Sequence, residues 1–144
     1  MKNEQTNTEK LTSGLRNNNL GNIRLGNTVW LGEIRPGQDN EFCHFRSMAY
    51  GYRALLKLLR SYSRLYGCDT IRSIITRWAP PVENHTEAYI SHVCREMGNA
   101  YDEMYVIDRD SKEVMCKLAA AISLMENGVT PKMEEIEKGW ELLN

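Results

Sequence analysis

From Tyr50 to the C-terminus, apolar residues recur at three- and four-residue steps, and each run closes on a stop signal. Leu55, Leu58, Leu59, Tyr62, Leu65 and Tyr66 form one stripe, ended by Gly67. A second stripe, Ile71, Ile74, Ile75 and Trp78, opens behind Asp69 or Thr70 and stops at Pro80 and Pro81, because proline cannot continue a helix. Tyr89, Ile90, Val93, Cys94 and Met97 mark a third helix starting near Thr86. A fourth runs from a Ser111 cap through Val114, Met115, Leu118, Ala119, Ile122 and Met125 to a glycine cap at Gly128. The last is expected to start with Thr130 as cap and Pro131 at its first position, burying Met133, Ile136, Trp140 and Leu143.

The N-terminal third has no such period. Residues 1–13 read as a disordered leader, and 14–144 as a single domain. Gly14 to Phe45 is rich in Gly and Asn and is expected to hold loops and short strands around "NTVWLGE" and "EFCHFR", joined by the turn "RPGQDN". The fold class expected is mostly α (α+β), a helical body with a small irregular or β lobe near the N-terminus and a cleft between the two.

Composition narrows function by exclusion. Hydrophobic residues make up 42% and charged residues 26%, ordinary for a globular domain of 144 residues. A formal net charge of -1 does not suggest a nucleic-acid binder. Arg60, Arg64, Arg72 and Arg77 fall on the solvent faces of two helices, with no interleaved aromatics beyond tyrosines the core needs. No apolar run approaches the roughly 20 residues needed to span a bilayer. The polar N-terminus lacks the apolar middle of a signal peptide, so synthesis in the cytoplasm is expected, with a monomer as the expected state. Cys43, Cys68, Cys94 and Cys116 are widely spaced and read as reduced thiols. Neither Cys43-His44 nor His92 with Cys94 has metal-ligand spacing, and no cofactor motif occurs, so neither metal nor cofactor is expected. His44, His85 and His92 are scattered and give no nucleophile signature.

The carboxylates carry more chemistry. Glu126, in "AISLMENG", sits one turn after Ile122 on the edge of a buried stripe. Partial desolvation there suits a carboxyl to proton donation. By spacing alone, a solvated glutamate beside a glycine cap is the plainer reading. Glu83, in "WAPPVENHTEAY", is held by two prolines at a helix start, where it could act in catalysis or complement the helix end, with Asn84 or Thr86 as cap. Glu33 is a third candidate because its lobe would line the cleft. Asparagine amides donate and accept at once, which suits sugar hydroxyls and acetamido groups, and aromatics such as Trp30 or Tyr89 can stack on sugar faces. The run "RNNNLGNIR" is therefore expected to serve as a sugar-binding loop.

These motifs together resemble a known family. Arg16 to Arg24, Trp30 with Gly32, Phe42 with Phe45, Gly51 with Arg53 and Ala54, the block from Thr70 to Tyr89, and Glu126 to Gly128 are similar to phage and prophage proteins described as virion structural or endolysin-like. The similarity covers about residues 14 to 140. Leu20 stands where the family has proline, which should loosen the loop slightly. A fainter similarity is to lysozyme-like cell-wall glucosaminidases and lytic transglycosylases, whose glutamate helix ends "LESG" and is followed by an "NN-x-FGIK" loop. Here the glutamate helix comes last, as in a circular permutation of one arrangement.

That resemblance implies a lysozyme-like domain cleaving peptidoglycan glycan strands. Glu126 would be the general acid, with Glu83 or Glu33 as second carboxylate. Asn18, Asn19, Asn22, Arg24, Trp30, Asn84 and Tyr89 would hold sugars. The protein would act on the cell wall after release or within a virion, with other virion proteins as further partners. The alternative is a non-catalytic virion structural or glycan-binding module. The permuted arrangement requires the end of the Glu126 helix to pack against the asparagine loop.

Overall fold

The structure is a computed structural model, and it describes residues 12–82 and 84–143. Residues 1–11 of the expected leader lie outside them. Thr12 and Ser13 are ordered parts of the domain: Thr12 caps a short helix, α1 (Ser13–Arg16), its hydroxyl accepting from the Leu15 amide.

Five longer helices follow where the apolar stripes predict them. α2 (Met48–Tyr66) starts on a Ser47 cap and ends at Gly67. α3 (Ile71–Trp78) opens on a capping box in which Thr70 and Ser73 satisfy each other's backbone amides. α4 (Thr86–Met97) has no side-chain cap, so neither Asn84 nor Thr86 serves as one; the Thr86 hydroxyl donates to the Ala79 carbonyl instead. α5 (Lys112–Asn127) runs from the Ser111 cap to Gly128, which takes the left-handed conformation at φ 69°. α6 (Met133–Glu141) begins later than Thr130 and Pro131 imply, with Lys132 at the cap position.

α2 is the spine of the body. Leu55, Leu56 and Leu59 are buried against Ile71, Ile74 and Ile75 of α3, Val93 of α4, Leu118 and Ile122 of α5 and Ile136 of α6. Each such aliphatic side chain contributes about 1.5–3 kcal/mol by leaving water. Deep in this core the Tyr52 and Ser123 hydroxyls pair at 3.0 Å, and burial pushes the Tyr52 hydroxyl up to about 12. Four residues of the apolar stripes fall outside it: Leu65 and Tyr66 on the last turn of α2, Met125 near the end of α5 and Met133 at the start of α6 are exposed.

The small lobe is irregular, with isolated bridges in place of ladders. Residues 41–46 form its middle. On one side the Cys43 amide donates to Ile23 and Leu25 donates to Glu41; on the other Ile34 donates to His44 and Arg46 donates to Gly32. A second core of Ile23, Cys43, Phe45 and Ala54, flanked by Trp30, Tyr50, Leu58 and Trp78, joins the lobe to α2. All four cysteines are free; burial pushes the Cys43 and Cys116 thiols up to about 11. Among the described residues, no helix is long and apolar enough to cross a membrane.

Candidate active site around Glu126

Residues 17–22 explain why one stretch needs so many asparagines. Asn18 and Asn22 have positive φ, 53° and 52°, a region that asparagine tolerates better than other side chains with a Cβ. The chain turns tightly because α2 lies directly beneath it: a Cβ at Gly51 would collide with the Asn18 carbonyl. Close packing strands backbone groups away from water, and each must find a partner. Asparagine amides supply them. Asn19 is fully buried, donating to the carbonyls of Ile23 at 2.9 Å and Cys43 at 3.0 Å and accepting from the Ile23 amide at 2.9 Å. Asn18 donates to the Phe45 carbonyl at 3.0 Å. Asn17, also buried, donates to Asp39 and accepts from Gln38.

The expectation that Asn18 and Asn19 bind sugars is therefore corrected. Their amides are spent on the fold. Asn22 alone of the three proposed binders turns outward, and its Nδ2 donates to Glu126 Oε1 at 3.1 Å.

The end of α5 packs against the asparagine loop, as the permuted arrangement requires. Asn127 is the clamp. Its Nδ2 donates to the Leu20 carbonyl at 2.8 Å and to Ser123 of its own helix, while its Oδ1 accepts from the Thr12 hydroxyl at 2.8 Å. Gly128 then lets the chain leave in the left-handed region. In "ENG", Glu126 faces the cleft, Asn127 fastens the helix to the loop, and Gly128 ends the helix.

Glu126 is half-buried and held at both oxygens. Opposite Asn22, the Tyr89 hydroxyl donates to Oε2 at 2.8 Å, and the Trp78 indole N–H donates to the Tyr89 oxygen at 3.0 Å. Burial first, then the Glu126 carboxylate beside it, hold the Tyr89 hydroxyl far above its ordinary range, so it stays protonated as a donor. Tyr89 is buried, which corrects its expected role as a stacking surface: it positions Glu126. Among the described residues no lysine or arginine pairs with Glu126. The Asn22 Oδ1 beside it is buried and has no hydrogen-bond partner among the described residues.

The carboxyl opens into a cleft of about 410 Å³. Asn22, Arg24, Phe42, Trp78, Asn84 and Glu126 contribute to its walls. Arg24 lies over the Phe42 ring and pairs with Glu41 at 3.5 Å. Asn84 is exposed and donates to the Pro80 carbonyl at 3.3 Å. Two other sequence candidates are elsewhere. Glu33 is enclosed in a pair with Arg35 at 2.6 Å and accepts from the Trp30 amide, so it stabilises the lobe and does not face this cleft. Trp30 packs on the second core and is not a cleft wall. Glu83 lies outside the described residues. Among those described, Glu126 is the sole carboxylate lining the cleft.

Trp78, whose spacing puts it on a core stripe, also lines the cleft, and so do Tyr62 and Arg77, which no sequence motif marks as site residues. An indole closing a helix just before two prolines was the available signal for Trp78.

No family model matches the chain. Protein P5 of Pseudoalteromonas phage PM2 is 38% identical over 143 residues, covering 94% of this chain and 84% of the phage protein. At that identity over nearly the whole length, the chain belongs to the family of phage proteins that includes Protein P5.

Proposed function

We propose that this phage-family protein cleaves the glycan strands of peptidoglycan, with Glu126 as general acid. One observation carries the reading: a half-buried carboxyl, fixed by Asn22 and Tyr89 and free of any cationic partner among the described residues, opens into a cleft. Ion-paired glutamates elsewhere in the chain, such as Glu33, Glu87 and Glu103, have no comparable freedom. The motif order is permuted, and the contact between the glutamate helix and the asparagine loop is what supports a lysozyme-like arrangement.

In this scheme protonated Glu126 gives its proton to the glycosidic oxygen as the bond to the anomeric carbon breaks. The carbon, carrying oxocarbenium character, is then attacked by water or by the 6-hydroxyl of the same muramic acid, and the attacking oxygen loses its proton to the Glu126 carboxylate. Two-carboxylate schemes need a partner about 5 to 10 Å away. Glu33 is engaged elsewhere and Glu83 lies outside the described residues, so among the described residues the cleft offers one acid, as a scheme of the lytic transglycosylase kind requires. Asn22, Arg24 and Asn84 would contact the sugars, and the unpartnered Asn22 Oδ1 suits an acetamido N–H. The protein would meet its substrate after release from the cell or as part of a virion.

The alternative is a virion structural or glycan-binding module using the same cleft without turnover. The occupation of both Glu126 oxygens by donors favours it. The test is release of muropeptides from purified peptidoglycan by wild type and Glu126→Gln, with products identified by mass. Release that falls at least 100-fold in the variant is expected, and anhydro ends would identify the transglycosylase. Equal release by both would remove Glu126 as the acid. Binding without release by either would establish the module.

A further inference from the structure

The Glu126 cleft does not end at Trp78. Leu58, Tyr62, Arg77 and Pro80 line it and also line a neighbouring cavity of about 650 Å³, walled further by Leu65 and Tyr66. The groove thus runs from Glu126 across the α2–α3 junction. Its far end is made from two of the residues that leave the core: Tyr66 is 56% exposed and Leu65 61%.

Arg77 stands at the join. Its guanidinium lies 3.4 Å from the Tyr66 ring centroid and 5.5 Å from that of Tyr62, a stacked geometry that holds the side chain in place. Stacking leaves the N–H edge of a guanidinium available for a planar anion. Among the described residues no carboxylate pairs with Arg77, whereas Arg24, Arg60 and Arg72 each have acidic partners. Arg77 differs from Arg46, the other arginine stacked on a tyrosine without a carboxylate partner among the described residues, in that it lies on the wall shared by the Glu126 cleft and its neighbouring cavity.

We propose that Tyr62, Tyr66 and Arg77 form a carboxylate-recognising subsite that takes the peptide arm of a peptidoglycan strand whose sugars lie beside Glu126. The inference rests on the glycan-cleaving reading and adds a specificity to it. The tyrosine faces and Leu65 receive apolar portions of the arm, and Arg77 receives a carboxylate of its amino acids. The groove would therefore select peptide-bearing strands over neutral glycans.

The test measures binding of peptidoglycan fragments to the full chain carrying Glu126→Gln, which prevents turnover. Each fragment is used as isolated and after carbodiimide coupling to methylamine, which turns its carboxylates into neutral amides. Isolated fragments should bind about tenfold tighter than amidated ones, the scale of one charge-assisted pair. Adding Arg77→Gln should bring that ratio close to one, and adding Tyr66→Ala should lower it by releasing the guanidinium. Arg77 is exposed, so its replacement leaves the core intact. Equal binding of the two fragments before Arg77 is changed, or an unchanged ratio afterwards, would overturn the subsite alone. Failure of both fragments to bind would overturn the underlying glycan reading as well.

Discussion

The amide of Asn22 donates to the carboxylate of Glu126 at 3.1 Å, across a separation of 104 residues. This contact closes the site, joining the loop that precedes the helical body to the last turn of α5. Asn22 holds its position only because its backbone is left-handed and Asn19, three residues earlier, is locked into the small lobe.

Neighbouring asparagines should therefore fail differently. Asn19→Ala removes three buried hydrogen bonds and strands the Cys43 carbonyl and the Ile23 amide, while the Ile23 carbonyl keeps the Cys43 amide, so we expect a loss of about 2–4 kcal/mol. Asn22→Ala should cost under about 1.5 kcal/mol of stability while lowering cleavage at least tenfold. Urea unfolding alongside muropeptide release separates the two. Equal stability losses would contradict the division of labour.

Tyr89→Phe keeps the ring and deletes the hydroxyl that connects Trp78 to Glu126. Glu126 loses its Oε2 donor and the Trp78 N–H loses its acceptor. The expected outcome is a destabilisation of about 1–2 kcal/mol and a larger relative loss of catalytic rate than of substrate affinity. Steady-state kinetics on defined glycan fragments would show whether kcat falls more than KM rises.

Gly51→Ala tests the packing of the loop on α2. Alanine is normally the better helix residue, worth about 1 kcal/mol over glycine. Here its methyl would meet the Asn18 carbonyl, a backbone atom that cannot swing aside. We expect a net destabilisation of about 1–3 kcal/mol and reduced activity through displacement of Asn22. A stabilised variant would show that the loop can move away from the helix at little cost.

Acid sensitivity should centre on Arg72. Its guanidinium bonds Glu87 of α4 and Glu103 of the following loop, with contacts from 2.7 to 3.1 Å. Hydrogen bonding to Arg72 holds both carboxyls below their ordinary value. Groups whose pKa is depressed by folding add stability above the unfolded value, near about 4.3 for glutamate, and lose it as pH falls through the folded value. Arg72→Gln should thus lower Tm at neutral pH and weaken its decline below about pH 4.3. The exposed network keeps the effect modest and sensitive to salt. Thermal melts of both proteins between neutral and acid pH would reveal it.

What could be read from the chain alone was local. A helix is set by residues within about four positions of one another, so apolar stripes, the Thr70 and Ser111 caps, and the Gly67 and Gly128 stops locate α2 to α5 closely, while the Ser47 cap that starts α2 is seen only in the structure. Glu126 was legible as a carboxyl on the edge of an apolar stripe, and "ENG" as the end of its helix. What a given asparagine does was not. The same amide satisfies a buried carbonyl or a sugar hydroxyl, and the choice depends on how closely another segment approaches. Only the tertiary structure spent Asn17, Asn18 and Asn19 on the lobe, turned Asn22 to the cleft, sank Tyr89 beneath Glu126, and paired Glu33 with Arg35. Those outcomes follow from contacts between segments far apart in sequence, where desolvated polar groups must be satisfied by whatever the fold brings near.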